Sequence, residues 1–562
     1  MEGQPADLTA YLEELQVRRK DSYPSKPALY PRVLPEASNN EELLRTKDAL
    51  ANATSELRAI GATRLFRLRD RLNRLVGRAK QQPPHPVPLH DAAVPSDTPA
   101  GLEAAILRKR IQILESKVGF EFVLTDEGSD TCSLATSLKE QWFQNFAVRQ
   151  SLSSERIAPD GIRLRSTTNR HATVFFEPSA RLSPLALYYF ADALERAPHA
   201  RFVYADSLDP LHPETGYKPD FDPLLARVWN YRGRIWVAPD REQIEFTDWP
   251  PAEVVHIPFP VEFGPTPIKT SSFATSFSKA PSISVIIPTK DQDKLLRACV
   301  ESIQKFESSS VQIVVVDNGS SKPELLRYLQ ELSSRQEVEV VYAPMAFNFS
   351  RLNNIGAFYA KGEVLALVND DIQFVEEEVL GRLAALAAEP NHGAVGPMLL
   401  YPSGMIQHGG MGLGYNGFSF GELLYRNISP DRAALDPKIG LNRRISAVLG
   451  ACLVVEKVKY EAVGGLAEDL AVTCNDVDLC LKLRSFGYEN VYAGTCRAIH
   501  HAHQTRGLMD NEEKLLSYWR EAATMINRFG IDYGDPYYNP NLGFNADIGK
   551  PVKPRVQKPW LD

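Results

Sequence analysis

Short apolar runs that alternate with helical segments are the feature of this sequence that most restricts its fold. Residues 283–288, 313–316 and 364–368 are runs rich in Val, Ile and Leu. Helical patterns at 295–306 and 323–332 lie between the runs. Continuous apolar runs of this length are typical of parallel strands that are buried on both faces. The alternation therefore predicts an α/β fold with a doubly wound, mostly parallel sheet.

The third run is followed by Asn369 and then directly by two carboxylates, Asp370 and Asp371. Burying unpaired acids at a strand end is costly unless a positive group meets them. Ligands of open α/β sheets bind at the carboxyl ends of the strands. Because Mg²⁺ and Mn²⁺ prefer oxygen ligands and bridge phosphates, the acid pair indicates a metal–diphosphate site. The structural alternative is an Asx-type turn that merely ends the strand.

Composition excludes several classes of protein. A chain of 562 residues is too long for one ordinary domain, and its 44% apolar and 24% charged content is that of a globular protein. The net charge of −7 argues against general nucleic-acid binding. Six scattered cysteines without a Cys-x-x-Cys pair favour a reducing compartment and disfavour a structural zinc site. No signal-peptide pattern and no apolar run of about 18–20 residues is visible, so we expect a cytoplasmic protein.

Residues 1–80 are predicted to be helical, and 57–80 stand out within them. Leu65, Leu68 and Leu72 recur at helical spacing, and eight basic residues accompany the single acid Asp70. This pattern predicts a basic amphipathic helix, which would lie on an anionic membrane surface. The alternative is a helix that packs on its own protein or pairs in a coiled coil. Prolines are frequent in residues 81–100, which we interpret as a stiff linker.

The remaining chain is divided into a first unit, a linker, a second unit and a tail, with predicted bounds of 101–263, 264–281, 282–545 and 546–562. The two units echo each other in sequence. Residues 122–129 match 313–320 at an offset of 191, and residues 173–180 match 365–372 at an offset of 192. In the earlier unit Glu177-Pro178-Ser179 replaces the acid-pair segment, and no counterpart of strand 283–288 is evident. We interpret the first unit as a degenerate copy that serves packing, assembly or acceptor contact.

Two polar residues at the ends of other elements are also candidates. Asp317 follows the second apolar run and can accept hydrogen bonds from a nucleobase or ribose, or it can be a turn residue in Asp-Asn-Gly-Ser. Asn354 lies near the start of a predicted helix, where amide groups suit phosphate or ribose oxygens. The alternative there is helix capping by Ser350 or Asn353.

Three later segments complete the candidate site. Gly450 and Ala451 allow a backbone to approach a ligand closely, or serve tight packing. Asp476 lies at a helix start, where a carboxylate can act as a general base or only as an N-cap. His500 and His501 belong to a group of three histidines within four positions, out of eleven in the chain. A neutral imidazole can complete a metal site begun by Asp371, although each histidine alone fits a surface or core role equally well.

The order of these motifs makes the sequence recognisable. Residues 282–510 resemble the family 2 glycosyltransferases of the A-type fold, and most of all the bacterial enzymes that build O-antigen, rhamnan and other surface polysaccharides. The tail Asp535–Leu542 also resembles that subgroup. The matching segments are Val285–Thr289, Val316–Ser320, Asn353–Ala357, Asn369–Asp371, Tyr401–Gly410, Gly450–Cys452, Asn475–Cys480 and His500–His501.

The resemblance implies a role for each matching residue. Asp371 would ligate Mg²⁺ or Mn²⁺ together with His500, with His501 as the second choice. Asp370 would contact the ribose or the donor sugar. Asp476 would take the proton of the acceptor hydroxyl, which gives inversion at the anomeric carbon. Pro288, Thr289 and Asp317 would hold the base, Asn354 the ribose–diphosphate region, and Gly450 and Ala451 the substrate; the glycine-rich segment 404–421 would be a mobile loop over the donor.

The activity implied is transfer of a sugar from a nucleoside diphosphate, with dTDP-rhamnose as one candidate donor, to a lipid-linked or growing polysaccharide. Implied partners are other glycosyltransferases of the same assembly and an anionic membrane on the cytoplasmic side, contacted by 57–80. Two alternatives belong to other classes. A non-catalytic scaffold is disfavoured by the intact Asp370, Asp371 and Asp476. A nucleotidyltransferase would require a glycine-rich basic loop after the first strand, where Pro288-Thr289 is followed by no such loop.

Overall fold

The computed structural model describes one N-terminal helix and most of the chain beyond residue 100. The described residues are 7–21, 23, 101–124, 132–150, 156–157, 170–176, 181–208, 216–229, 231, 233, 235–238, 250–263, 281–307, 311–413, 421–502, 512–529, 535–539 and 541–542. The predicted amphipathic helix 57–80, the linkers 81–100 and 264–281, and the tail 546–562 lie wholly or almost wholly outside them.

The first unit contains a sheet of eight strands in the spatial order β3-β2-β1-β4-β7-β6-β8-β5. Its strands are β1 Val118–Leu124, β2 Phe146–Gln150, β3 Arg156–Ile157, β4 Arg170–Phe176, β5 Arg181–Leu182, β6 Phe202–Leu208, β7 Ile235–Ala238 and β8 Val254–Phe263.

The second unit contains a sheet of ten strands, eight of which follow the path β11-β10-β9-β12-β19-β14-β20-β13, while β15 pairs with β14 and β18 with β20. Two short strands, β16 and β17, form a separate hairpin. The strands are β9 Ile283–Thr289, β10 Val311–Asp317, β11 Val338–Tyr342, β12 Val364–Val368, β13 Ile372–Phe374, β14 His392–Leu400, β15 Ile406–His408, β16 Met411–Gly412, β17 Glu422–Leu423, β18 Asn442–Arg444, β19 Cys452–Glu456 and β20 Glu489–His500.

The helices cover the faces of these sheets. They are α1 Leu8–Asp21, α2 Gly101–Glu115, α3 Cys132–Lys139, α4 Ala186–Arg196, α5 Pro223–Ala226, α6 Asp293–Phe306, α7 Pro323–Leu332, α8 Phe349–Tyr359, α9 Val379–Ala387, α10 Lys457–Ala462, α11 Asn475–Ser485 and α12 Glu512–Phe529. Among the described residues, no helix has both the length and the hydropathy needed to cross a bilayer.

The α/β fold predicted from the apolar runs is confirmed, but the larger sheet is mixed rather than mostly parallel, because β13, β15, β18 and β19 pair antiparallel with their neighbours. In β12, Val364, Ala366 and Val368 contribute to one hydrophobic core, and Leu365 and Leu367 to another. Successive side chains of a strand point to opposite faces, so a continuous apolar run fills both cores at once. Strands β9 to β12 are mutually parallel, and antiparallel β19 joins them to the rest of the sheet.

The two sheets have the same topology along their main paths. When the eight strands on each path are numbered in chain order, both paths read 3-2-1-4-7-6-8-5. Neighbouring strands run in the same relative directions, except that β2 and β3 are antiparallel whereas β10 and β11 are parallel. One detail of the sequence comparison was therefore wrong. The match of residues 122–129 with 313–320 equates β1 with β10. In the sheets, however, β1 lies between β2 and β4 just as β9 lies between β10 and β12, so strand 283–288 does have a counterpart in the first unit.

Helix α1 packs on the second unit. Tyr11 donates to Glu461 Oε1 at 3.2 Å, and Arg19 Nε donates to the Gly464 carbonyl at 3.0 Å. A Cβ at Gly464 would lie 2.3 Å from the backbone nitrogen of Arg19, so only glycine permits this approach. The N-terminal helix thus lies against the Gly464–Gly465 turn that precedes the segment carrying Asp476.

The segment around Asn539 joins the two sheets. Its Nδ2 donates at 2.8 Å both to Asp206 Oδ2 on β6 and to the Lys218 carbonyl of the first unit. In the same segment, Asp535 accepts a 2.9 Å hydrogen bond from the backbone N–H of Leu413 in the second unit. These buried contacts tie the first unit to the second.

Candidate active site

The carboxyl ends of β9, β10 and β12 meet at one edge of the larger sheet. Thr289 and Asp317 are register partners there, and Thr289 Oγ1 donates to Asp370 Oδ2 at 2.7 Å. Burial raises the pKa of Asp370 to about 7; the adjacent Asp371 carboxylate adds to this shift and the Thr289 hydrogen bond opposes it. The predicted strand-end residues are therefore adjacent in space.

Asp317 makes contacts typical of a turn. Its carboxylate accepts from the backbone N–H of Ser320 at 3.1 Å and also from the Ser320 hydroxyl. Its side chain is buried, as is Pro288, which lies opposite Val316 on β10. These bonds are those of the turn alternative. Asp317 also lies at the carboxyl end of β10, where the sequence analysis places a residue that contacts the base.

Asp371 and His500 face each other from adjacent antiparallel strand ends. Their Oδ1 and Nε2 atoms are 3.1 Å apart, and the His501 N–H donates to the Asp371 carbonyl at 3.0 Å. The other ring nitrogen of His500 lies 2.6 Å from Gln407 Oε1. Because that oxygen can only accept, Nδ1 donates to it, and in the neutral ring Nε2 is then the nitrogen with the free lone pair.

The Asp371–His500 contact is at ion-pair distance but lacks hydrogen-bond geometry. Asp371 Oδ1 is buried and has no hydrogen-bond partner among the described residues. An imidazole nitrogen and a carboxylate oxygen that lie this close without a hydrogen bond between them fit two ligands of one cation. Within the described part of the chain, no cluster of three or more His, Cys, Asp or Glu side chains could hold a metal. The pair therefore fits a cation that takes its other ligands from a bound molecule or water.

His501 is turned away from this pair. Its Nε2 lies 3.3 Å from Gln373 Oε1, and the side chain is partly exposed. Of the two neighbouring histidines, His500 is the one whose ring meets the acid. His503 lies outside the described residues.

Asp476 is held on the turn formed by Leu449–Cys452. Gly450 N–H donates to Asp476 Oδ2 at 2.8 Å, and Val477 N–H donates to Asp476 Oδ1 at 2.9 Å. Asp476 is not the N-cap of α11; that residue is Cys474, whose φ of 57° is left-handed. Non-glycine residues held in this backbone region are strained, and they are concentrated at functional sites.

The same turn reaches the acid-pair segment. The Ala451 carbonyl accepts from the Asn369 N–H at 2.9 Å. Gly450, Ala451, Asp476 and the acid-pair segment are thus linked by direct hydrogen bonds.

Asn354 does not belong to this group. Its Oδ1 accepts from Tyr460 Oη at 2.5 Å and from Leu466 N–H at 3.0 Å, and its Nδ2 donates at 3.0 Å to both the Leu466 carbonyl and Glu468 Oε1. The side chain is fully buried, and these four bonds use its whole hydrogen-bonding capacity. The cap of α8 is Asn348, rather than Ser350 or Asn353. We therefore do not include Asn354 in the proposed site.

Two residues that the sequence reasoning did not single out contact the site. Gln407 bonds His500, and His408 Nε2 accepts from the Leu449 N–H at 3.2 Å. Burial lowers the pKa of His408 to about 4, so the ring is neutral at physiological pH. Both residues lie in the segment Tyr401–Gly410, which matches the family in sequence but for which the resemblance implies no role for either residue. Residues 414–420 of the predicted donor loop 404–421 lie outside the described residues.

The arrangement is that of an α/β protein with paired acids at the carboxyl edge of its sheet and a separate buried carboxylate that is linked to them through a short turn. Residues 284–444 match the model of the family described as Glycosyl transferase family 2. This segment therefore belongs to a family 2 glycosyltransferase domain on the α/β fold described above. Asp476 and His500 lie beyond the matched residues.

Three relatives were found among curated proteins. The uncharacterized protein y4gI of Sinorhizobium fredii is 39% identical over 51% of this chain and 32% of its own length. The O-antigen biosynthesis protein RfbC of Myxococcus xanthus is 32% identical over 47% of this chain and 20% of its own length. An N-acetylglucosaminyl-diphospho-decaprenol L-rhamnosyltransferase of Mycobacterium tuberculosis is 28% identical over 25% of this chain and 47% of its own length. The chain thus spans less than half the length of each of these relatives.

Proposed function

We propose that this chain is a metal-assisted, inverting glycosyltransferase that uses a nucleoside-diphosphate sugar. The observation that carries the proposal is that Asp371 Oδ1, which has no hydrogen-bond partner among the described residues, lies 3.1 Å from His500 Nε2. A buried carboxylate and an imidazole without a donor between them are suited to a divalent cation. Mg²⁺ or Mn²⁺ would be held by Asp371 and His500, and when bound would stabilise the charge of the departing nucleoside diphosphate.

The chain's own residues would do the remaining work. Asp476 would accept the proton of an acceptor hydroxyl as its oxygen forms a bond to the anomeric carbon and the bond to the diphosphate oxygen breaks. Attack from the face opposite the leaving group gives inversion. The bonds from Gly450 and Val477 orient the Asp476 carboxylate, which would act as the general base.

Donor binding would fall to the strand-end edge. Thr289 and Asp317, with Pro288, would contact the base, and Asp370 would contact the ribose or donor sugar. The buried, adjacent positions of Thr289 and Asp370 support this assignment. Gly450 and Ala451 would line the sugar side, since their backbone contacts both the acid-pair segment and Asp476.

The relatives' names suggest a biological setting. One is named for O-antigen biosynthesis, and another transfers L-rhamnose to a diphospho-decaprenol-linked sugar. By analogy we propose a role in bacterial surface-glycan synthesis, with a deoxythymidine-diphosphate rhamnose donor and a lipid-linked or growing polysaccharide acceptor. The acceptor would place the protein at the cytoplasmic face of the membrane, with 57–80 as the contacting helix.

We further propose that the first unit is a non-catalytic copy of the same fold. The shared strand order of the two sheets supports a duplication. The segment after β4, which corresponds to the acid pair, reads Glu177-Pro178-Ser179 and so lacks the two aspartates. A unit without them would serve packing, assembly or acceptor contact.

The decisive assay measures nucleoside-diphosphate release and sugar transfer from a panel of UDP-, GDP- and dTDP-sugars in the presence of Mn²⁺ or Mg²⁺. We expect wild-type activity that EDTA abolishes, and a loss of about 100-fold or more in Asp476→Asn and Asp371→Ala. Undiminished activity in both variants would contradict the mechanism. A non-catalytic scaffold, the alternative class, would turn over no donor in the panel.

A chain that begins at residue 101 tests the membrane contact. It should bind anionic liposomes more weakly than the full chain. Equal binding of the two chains would remove 57–80 from the account.

A further inference from the structure

The short strand β15 sends two side chains to two different parts of the proposed site. It pairs with β14 through Leu399 opposite His408. Gln407 and His408 are both buried, and their exposed fractions are 4% and 0%. Neighbouring residues of a strand point to opposite faces, so one strand can support two groups that lie on either side of it.

Gln407 determines which nitrogen of His500 carries the proton. Its Oε1 accepts from Nδ1 at 2.6 Å, and in the neutral ring this leaves Nε2 unprotonated, 3.1 Å from Asp371 Oδ1. Without this acceptor the imidazole could donate from Nε2 to the carboxylate instead. That alternative would satisfy Asp371 and occupy the lone pair that a cation needs.

His408 holds the Leu449–Cys452 turn. Its Nδ1 donates to the Pro397 carbonyl at 3.0 Å, so its Nε2 must accept, and it does so from the Leu449 N–H at 3.2 Å. The next residue, Gly450, donates to Asp476. A shift of the turn would therefore move the carboxylate.

We propose that Gln407 and His408 are positioning residues for the transfer reaction, Gln407 for His500 on the metal side and His408, through the turn, for Asp476. The inference rests on the proposed function. It assigns the two neighbouring residues separable effects: one on cation affinity and the other on the turnover of bound substrate.

For Gln407, the test is Mn²⁺ binding, followed by the loss of the free-Mn²⁺ electron paramagnetic resonance signal. Gln407→Leu should weaken Mn²⁺ binding by about 10- to 100-fold, and Gln407→Glu, which keeps an accepting oxygen, should restore most of it. ¹⁵N spectra of histidine-labelled wild type should identify His500 as the Nδ1–H tautomer, a result that needs no variant to fold. Wild-type affinity in Gln407→Leu, or an Nε2–H tautomer, would overturn the assignment of Gln407.

For His408, the readout is the division between kcat and KM. His408→Leu should lower kcat by about 10- to 100-fold and leave Mn²⁺ affinity unchanged, because a small displacement of a reacting group is costly. His408→Gln, whose amide oxygen can accept from Leu449, should recover much of kcat. An unchanged kcat in a folded His408→Leu, or a loss that His408→Gln does not relieve, would overturn its role.

Failure of this inference differs from failure of the proposed function. A wild type that neither binds Mn²⁺ nor transfers sugar would contradict both. A wild type that does both, with Gln407→Leu and His408→Leu behaving like it, would contradict the positioning roles alone.

Discussion

The backbone N–H of Gly450 donates to Asp476 Oδ2 at 2.8 Å, and a Cβ at position 450 would lie 3.2 Å from the Cβ of Asp476. The glycine thus lets the main chain approach the acid closely. The neighbouring Ala451 carbonyl holds the Asn369 N–H. Two groups of acids that are about a hundred residues apart in sequence are therefore fixed relative to each other by one short turn.

Replacing Asn354 tests whether its buried amide stabilises the fold or binds the donor. Asn354→Ala would remove its four hydrogen bonds to Tyr460, Leu466 and Glu468, and each buried group left unsatisfied costs about 1–3 kcal/mol. We expect the free energy of unfolding to fall by about 2–4 kcal/mol in chemical denaturation, with the donor KM unchanged. Asn391→Ala, at an exposed position, is the control. A stable variant with a raised donor KM would return Asn354 to the substrate site.

Glycine at position 464 should be required for the docking of α1. Gly464 has a φ of +76°, and an added Cβ would lie 2.3 Å from Arg19 N and 2.4 Å from Leu15 O. Gly487 is a matched control, because its φ is +87° but nothing lies within 4 Å of its Cβ position. Gly487→Ala should cost only the backbone strain, about 1 kcal/mol, whereas Gly464→Ala should also release α1.

Hydrogen exchange of residues 8–21 measures that release directly. Faster exchange of α1 in Gly464→Ala than in Gly487→Ala is the expected result. Equal protection in the two variants would show that the helix accommodates the side chain.

His256 should make the stability of the first unit depend on pH. Burial lowers the pKa of His256, but hydrogen bonds and charges from Asp206 and Asp220 outweigh this effect and raise it from 6.5 to about 9. Below pH 6.5 the ring is protonated in both folded and unfolded chains, and the stabilisation is fully present. Between pH 6.5 and 9 only the folded chain keeps the proton, so the free energy of unfolding falls as pH rises, by up to about 3 kcal/mol.

Chemical denaturation at several pH values between 6 and 9.5 checks this slope, with His256→Gln as the comparison. The variant should be less stable at pH 6 and should lose the pH dependence assigned to this residue. The same slope in both chains would assign it to other groups.

The strands and the strand-end acids could be predicted because their signals are local. The run Val364–Val368 is apolar at every position, and the acids follow it without a gap. The predicted helix 323–332 has the observed bounds for the same reason. Parallel strands have their carboxyl ends at the same edge of a sheet, and this rule then places the two acids at that edge.

Other features depend on partners far away in the sequence. Gln407 and His500 are 93 positions apart in sequence, and Asn354 and Leu466 are 112 apart. No local pattern shows that Gln407 contacts the site whereas Asn354 is an amide of the core. The first unit was also only partly anticipated. Short apolar strands followed by Asp-x-Gly-Ser look alike in sequence, so the sequence comparison equates β1 with β10. Only the strand pairing shows that β1 lies between β2 and β4.

Separation of metal binding from proton transfer tests the central claim most directly. Mn²⁺ binding and sugar transfer would be measured side by side in wild type, Asp371→Asn and Asp476→Asn, with exposed Glu324→Gln as the control. We predict that Asp371→Asn loses both, and that Asp476→Asn binds Mn²⁺ normally but transfers sugar at least about 100-fold more slowly. Wild-type transfer by Asp476→Asn, or wild-type Mn²⁺ binding by Asp371→Asn, would contradict the account.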